Sequence, residues 1–173
     1  MGCGPSQEEK GEDSAYKSLK EKLVPFELPL VTALETGAIK LLVATYLRAG
    51  GLYALSSRQN LEARETREGC TIFLRPEAAA NALRRQNRSI CFVTHAWRSC
   101  VHPDPEGYGM FPAVKRFLHH DLGEHIVGVF IDYACLHQEP RTPEEDAFFL
   151  AALKVMANGC ATRPSVPAPS RAP

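Results

Sequence analysis

The sequence predicts an α/β protein in which a parallel sheet with flanking helices follows a helical N-terminal region. Two continuous apolar runs, ICFVT (90–94) and IVGVFI (126–131), have the composition of strands that are covered on both faces. Between them, MFPAVKRFLHHDLG has apolar side chains at helical spacing. Strand, helix and strand in this order predict a βαβ unit with a right-handed parallel crossover.

Composition limits the kinds of partner and compartment. A chain of 173 residues is long enough for one domain with appendages. Lys plus Arg equals Asp plus Glu at 20 each, so the net charge does not indicate a nucleic-acid partner. The six cysteines are widely spaced, no C-x-x-C pair occurs, and we find no secretory signal; this pattern favours free thiols inside the cell. The longest apolar stretch, 39–55, is interrupted by charges and is shorter than the roughly 20 residues of a membrane helix.

The first six residues, MGCGPS, fit the M-G-x-x-x-[ST] pattern of N-terminal acylation. Gly2 would carry a myristoyl amide once Met1 is removed, and Cys3 would carry a palmitoyl thioester. Since two acyl chains anchor stably where one binds marginally, we expect residues 1–13 to be a disordered, acylated segment on the cytoplasmic face of a membrane. The alternative is a disordered terminus in which Gly2 and Ser6 occur by chance.

Residues 14–88 are predicted to be mainly helical. A helix that stops at Gly50 and Gly51 is indicated by four apolar residues at helical spacing: Ile39, Leu42, Val43 and Leu47. The run CTIFL (70–74) is compatible with a short strand, and RPEAAANALRRQN predicts a helix with Pro76 at its first position.

Residues 89–158 are predicted to form the α/β domain, and its last helix has the clearest start signals. In RTPEEDAFFLAALKVMANG, Thr142 can cap the helix, Pro143 suits the first turn and Glu145 completes a capping box. We expect Gly159 to end this helix. Its predicted inward stripe is Phe149, Ala152, Leu153 and Met156. The proline-rich segment 159–173 is predicted to be a disordered tail.

Polar and aromatic groups follow both predicted strands. His95 and Trp97 come after the first strand, and Asp132 follows the second. Because open α/β sheets bind ligands at the carboxyl ends of their strands, we expect a pocket with Trp97 as a stacking wall and His95 and Asp132 as hydrogen-bonding groups. Each residue has a structural alternative: Trp97 as a packing residue, Asp132 as a cap of its own loop, and His95 as a half-buried histidine.

Two other chemistries have weaker support. His102, Asp104 and His137 lack the spacing of a metal site, and HPDPEG is typical of a turn, in which nothing visibly fixes Asp104. Cys100 or Cys135 as a nucleophile has no activating partner at a fixed spacing. We therefore assign neither a metal ligand nor a catalytic residue.

The segments ICFVTHAW, HPDPEG and VFIDYACLHQEPRTPEEDAFFLAAL together resemble the heterokaryon-incompatibility-type and TIR-like signalling domains, a flavodoxin-like α/β group. The similarity covers about residues 89–157 and implies a partial flavodoxin-like (TIR-like) sheet. In this group the first strand ends in a segment similar to Thr94, His95 and Trp97, and the second in an aspartate like Asp132. The loop that follows serves domain-to-domain contacts, which implies five interaction residues: Tyr133, Leu136, His137, Glu139 and Arg141.

The resemblance implies an adaptor that associates with like domains, and the acylation motif adds a membrane tether; we expect no cofactor. Enzymatic members carry a catalytic glutamate beyond a third parallel strand, a position that none of Glu139, Glu144 and Glu145 matches. One alternative is an NAD(P)-cleaving nucleosidase of the TIR type, with NAD or another nucleotide as ligand. The other is a truncated, inactive family member, suggested by the change to ATRPSVPAPSRAP. The sequence does not specify the ligand, the partner, the oligomeric state or the upstream signal.

The predicted sheet has a further consequence for association. With only two or three parallel strands, we expect an open edge beside VGVFID, where apolar side chains and unpaired backbone groups favour self-association.

Overall fold

The computed structural model describes residues 29–97, 99, 102–105 and 109–161. The predicted acylated segment 1–13, most of the predicted tail, and residues 14–28 lie outside this part of the chain. The described helices are α1 (29–35), α2 (Ala44–Arg48), α3 (Arg58–Glu68), α4 (Pro76–Arg84), α5 (Met110–His119), α6 (Asp132–Cys135) and α7 (Pro143–Ala161). The strands are β1 (Leu42–Val43), β2 (Ile90–Val93) and β3 (Gly128–Ile131). The protein is α/β, as the sequence predicts.

The sheet has three strands in the order β1-β3-β2. β2 and β3 are parallel, with Ile90 opposite Gly128 and Val93 opposite Ile131. This arrangement, with α5 between the two strands in the chain, confirms the predicted βαβ unit. β1 pairs with β3 in the antiparallel direction, so the sheet is mixed and the prediction of an all-parallel sheet is wrong.

β1 lies inside the segment that was predicted to be one helix. The Val43 amide donates to the Ile72 carbonyl at 2.9 Å, and the Ala44 amide donates to the Val127 carbonyl at 3.0 Å. Segment 41–44 is therefore hydrogen-bonded on both sides, and Leu42 also forms a single antiparallel bridge with Phe73 of the predicted CTIFL strand. Because a strand of two residues is too short to show a period of its own, helical spacing was misleading here.

The position of β1 also corrects the predicted open edge. The edge of β3 beside VGVFID is covered by β1, and every residue of β3 is buried. In the described part of the chain, the unpaired edge belongs to β2 instead. No residue of β2 is fully buried, and Phe92 is 49% exposed.

The predicted starts of α4 and α7 are confirmed, whereas the predicted end of α7 is wrong. α4 begins with Pro76, and α5 ends at His119, before a 3-10 turn at Asp121–Gly123. The capping box of α7 is present, since the Glu145 amide donates to Thr142 Oγ1 at 3.3 Å and the Thr142 amide donates to the Glu145 carboxylate at 2.7 Å. α7 continues through Gly159 instead of stopping there.

The inward face of α7 differs from the predicted stripe at Leu153. Ala152 is fully buried and Phe149 and Met156 are partly buried, but Leu153 is 38% exposed. Phe148 and Val155 pack against the core as well. Because apolar residues occur on all sides of this helix, the sequence pattern does not define its buried face.

None of the helices in the described ranges is long and apolar enough to cross a bilayer.

Candidate functional site

Asp132 begins α6 at the carboxyl end of β3 and holds two neighbours. Its Oδ2 accepts a hydrogen bond from Trp97 Nε1 at 2.9 Å, and its Oδ1 accepts one from the Tyr133 amide at 2.7 Å. The two predicted roles of Asp132 are therefore combined, because the carboxylate caps its own loop and also orients the indole. Trp97 remains 37% exposed.

Three aromatic rings meet at this edge of the sheet. The Tyr133 ring makes an edge contact with Trp97, with centroids 5.7 Å apart, and another with His102 at 4.6 Å. His102 is fixed by its own bonds, since Nδ1 accepts from the Asp104 amide at 3.0 Å and Nε2 lies 3.2 Å from the Leu55 carbonyl. The Tyr133 phenol is partly buried, and this burial raises its pKa. Together the rings form a rigid wall.

A cavity of about 550 Å³ lies beside this wall. Its volume is within the range of small-molecule pockets, roughly 300–1,000 Å³. It is lined by residues from the start of α3, the aromatic wall and the loop after α6: Ser57, Gln59, Asn60, Trp97, Tyr133, Gln138, Glu139, Pro140 and Arg141.

The two glutamines of the lining position the loop between α6 and α7. Gln59 Nε2 donates to the Gln138 carbonyl at 2.6 Å, and Gln59 Oε1 accepts from the Gln138 amide at 3.1 Å. Gln138 Nε2 in turn donates to the Leu136 carbonyl at 2.9 Å. These amide groups are used to hold the loop against α3.

Arg141 places a fixed positive charge on the cavity wall. Its guanidinium pairs with Glu139 and with Asp146, the latter at 2.6 Å, and lies 4.1 Å from the centroid of the Phe149 ring. Only 13% of the Arg141 side chain is exposed, whereas 72% of the Glu139 side chain is. Arg141 is therefore held by packing and a second carboxylate even where water screens its pair with Glu139.

Leu136 and His137 belong to the loop between α6 and α7, but they are buried and do not line the cavity. His137 is 4% exposed, and its ring stacks on Phe148 with centroids 6.1 Å apart. Its Nε2 lies 3.9 Å from Glu62 and 3.8 Å from Glu145. Burial lowers the pKa of His137, with a further lowering from Arg58, so the neutral ring is favoured.

The five predicted interaction residues thus separate into two groups. Tyr133, Glu139 and Arg141 line the cavity, whereas Leu136 and His137 are buried. Only the first group is available to a partner or ligand.

His95 lies apart from Trp97 and Asp132. It lines a different groove, of about 540 Å³, between β2 and α5. The strand ends at Val93, so the period of two no longer fixes the direction of the side chains that follow. The structure brings Trp97 and Asp132 together and leaves His95 outside the cavity.

The structure also places two residues that were considered for a metal site and for a nucleophile, Asp104 and Cys135. Asp104 is 2% exposed and accepts from the Phe111 amide at 3.0 Å and the Gly109 amide at 3.2 Å. It is therefore fixed at the start of α5, contrary to the expectation of a loose turn. Burial raises the pKa of Cys135 to about 12, which keeps this thiol protonated and a poor nucleophile. The described residues contain no cluster of three or more metal-ligating side chains.

Sequence reasoning missed the contribution of α3 to the cavity. Arg58, which is 3% exposed, donates to the carbonyls of Ala38 at 3.0 Å and Cys135 at 3.3 Å, and so ties α3 to the end of α6. Burial alone would raise the pKa of Glu62, but hydrogen bonds from Lys40 and Arg58 outweigh it and lower that pKa. No local pattern in the charged sequence of α3 indicates this tertiary role.

No protein-family model matches the chain, and comparison with curated proteins and with solved structures finds no significant match.

Proposed function

We propose that the chain is an intracellular signalling adaptor, tethered to a membrane through acylated Gly2 and Cys3, that associates with like domains through a TIR-like, partial flavodoxin-like α/β domain. The parallel pair of β2 and β3, the aspartate at the end of β3 and the capped helix α7 support this assignment. They are the segments that carry the resemblance.

The observation that carries the proposal is the open edge of β2. Beside it runs a groove toward α5 in which apolar side chains are accessible, with Phe92 49% and Phe117 38% exposed. An unpaired strand edge with apolar flanks favours pairing with another strand.

The direction of the backbone groups defines the pairing. The Ser89 carbonyl accepts from the Val127 and Gly128 amides, so it faces β3. By the alternation of a strand, Cys91 also faces β3, and the N–H and C=O groups of Ile90 and Phe92 face outward. A second copy can therefore place its own β2 antiparallel against this edge, with a two-fold axis near Phe92.

The carboxylates near the cavity favour an adaptor over a catalyst. Asp132 is bonded to Trp97 and Tyr133, and Asp104 is bonded to backbone amides. Glu139 is paired with Arg141. Each of these groups already has a structural partner.

The test is sedimentation of the full chain over a concentration series. We expect wild type to form dimers and Phe92→Lys to remain monomeric, because a charge at the strand edge opposes pairing. Leu150→Lys is the matched control, since Leu150 is 56% exposed, belongs to α7 and does not line the groove beside β2. Monomeric wild type, or equal loss of association in both variants, would contradict the proposal.

The tether is tested separately in cells. Wild type should fractionate with membranes, Gly2→Ala should be released, and Cys3→Ser should bind weakly, because a single acyl chain is insufficient. Equal membrane association of wild type and Gly2→Ala would exclude the acyl anchor.

A nucleosidase is the second candidate, and the cavity is the observation that favours it. Trp97 and Tyr133 offer aromatic surface, and Glu139 supplies a carboxylate to the same lining. It is tested by measuring nicotinamide release from NAD by the purified full chain.

A further inference from the structure

A second recess, of about 570 Å³, lies between α2 and the solvent side of α5. All of its ionisable lining residues are cationic or imidazole side chains: Arg48, Lys115, Arg116, His119 and His120. Within the described residues no carboxylate lines it. We call this surface the cationic recess.

Arg48 binds backbone carbonyls at the carboxyl end of α5 and in the segment that follows it. It donates to the Leu118 carbonyl at 2.8 Å, the Gly123 carbonyl at 2.6 Å and the Ile126 carbonyl at 3.0 Å. The last carbonyls of a helix carry a partial negative charge, which a cation offsets. Because Arg48 binds these carbonyls, the charges of Lys115 and Arg116 are not needed at the carboxyl end of α5.

Lys115 and Arg116 have no carboxylate partner among the described residues. Lys115 Nζ donates to the Leu52 carbonyl at 3.2 Å and lies 5.1 Å from the centroid of the Phe111 ring, and neither of these partners is an anion. Arg116 is exposed to solvent.

The two most exposed large apolar side chains of the described residues do not line the recess, but each belongs to a segment that is hydrogen-bonded to one of its lining residues. Tyr53 is 89% exposed and follows Leu52, whose carbonyl binds Lys115. Leu122 is 70% exposed, and its amide donates to His120 Nδ1 at 3.2 Å. A single exposed apolar residue is ordinary, but two in segments bonded to a recess whose cations have no carboxylate partner match the surface of a bilayer with anionic headgroups.

Two carboxylates oppose this charge. Asp121 and Glu124 are exposed in the turn beside Leu122, at the margin of the recess and outside its lining. Their negative charges weaken the attraction of the recess to anions. Binding to an anionic surface therefore also needs the apolar contacts of Tyr53 and Leu122.

We propose that the cationic recess, together with Tyr53 and Leu122, docks onto an anionic lipid surface. This inference rests on the proposed membrane tether. The contact would be a second attachment to the membrane and would fix the orientation of the domain. Lys and Arg side chains near an anionic leaflet attract it, and the tyrosine and leucine insert at the level of the headgroups.

The experiment uses the full chain made without acylation, so that the anchor does not contribute. Binding is measured by co-sedimentation with vesicles of phosphatidylcholine and phosphatidylserine, and with vesicles of phosphatidylcholine alone. We expect binding only to the anionic vesicles, and its loss between about 0.1 M and about 1 M salt, where the screening length falls from about 10 Å to about 3 Å.

Two double variants separate the contributions. Lys115→Gln with Arg116→Gln should weaken binding by about 30-fold, from roughly 1 kcal/mol for each charge. Tyr53→Ser with Leu122→Ser should weaken it by at least about tenfold while leaving its salt dependence unchanged. The matched control, Arg75→Gln with Lys154→Gln, removes the same charge from exposed positions outside the recess and should change binding by less than about twofold.

Each contrary outcome has a defined meaning. Absence of wild-type binding to anionic vesicles, or equal weakening in the control, would overturn the proposal. Competition by inorganic phosphate that abolishes vesicle binding would replace the lipid surface with a soluble anion. Gly2-dependent fractionation in cells would still stand in each case, so failure of the docking surface is distinguishable from failure of the tether.

Discussion

The two outer strands of the sheet, β1 and β2, both pair with β3, but among the described residues only β1 also has a neighbour on its outer side. Segment 41–44 is hydrogen-bonded to residue 72 on its other side, and Leu42 is 0% exposed. β2 has no such neighbour in the described part of the chain, and Phe92 is 49% exposed. The burial of an apolar strand therefore depends on whether another segment packs against its outer edge, and apolar composition alone does not determine it.

The first prediction compares one residue from each side. Leu42→Ala should lower the free energy of unfolding by about 2–5 kcal/mol, because it removes a fully buried side chain and leaves a cavity. Phe92→Ala should cost roughly 1–2 kcal/mol, since about half of that ring is already in water. The measurement is urea unfolding of both variants.

The Phe92 variant has a second readout that the Leu42 variant lacks. If Phe92 lies at an interface between copies, Phe92→Ala should also weaken association, whereas Leu42→Ala should leave the association of the folded protein unchanged. At a concentration where the protein is monomeric, equal unfolding costs for the two variants would show that β2 is covered within a single copy and that the contrast between the strands is wrong.

The same contrast explains what the sequence predicts and what it does not. β2, β3 and the start of α7 were predictable because each is long enough to show continuous apolar character or a capping box. β1 was not, since two residues cannot show a period of two. The pairing of Trp97 with Asp132 follows from the geometry of strand ends, but the tie between α3 and the loop depends on Arg58 and Gln59, whose partners are more than 70 residues away in the chain.

The second prediction concerns the pH dependence of stability and the buried side chain of His137. His137 is buried near Lys40 and Arg58 as well as Glu62 and Glu145, and its pKa in the folded state is lowered. Below about pH 6.5, the ordinary pKa, the unfolded chain binds a proton that the folded protein does not. Stability should therefore fall as the pH drops from about 6.5 toward the folded-state pKa, and level off below it.

The check is the free energy of unfolding measured by urea across this pH range. His137→Gln should lose the part of the slope that belongs to this residue, whereas His125→Gln, at an exposed site, should retain it. An unchanged slope in His137→Gln would show that the loop does not bury a neutral histidine.

The smallest expected effect is the absence of NAD cleavage. This prediction tests whether the cavity or the open edge of β2 is the functional surface. Cleavage of the nicotinamide bond passes through an oxocarbenium-like state, which requires a carboxylate held close to the ribose. Glu139 is the carboxylate in the cavity lining, and it is 72% exposed and paired with Arg141. Asp132 is committed to Trp97 and Tyr133.

Without a preorganised carboxylate, a loss of roughly 3–4 kcal/mol of transition-state stabilisation corresponds to a rate about 10²–10³ lower, so turnover should be weak or absent. The measurement is nicotinamide release by the purified full chain, beside Glu139→Gln and Asp132→Ala. Release on the order of 1 per second, abolished in either variant, would move the function from the edge of β2 to the cavity. Since Asp132→Ala also removes a bond that orients Trp97, loss in Glu139→Gln alone would identify Glu139 as the reacting carboxylate.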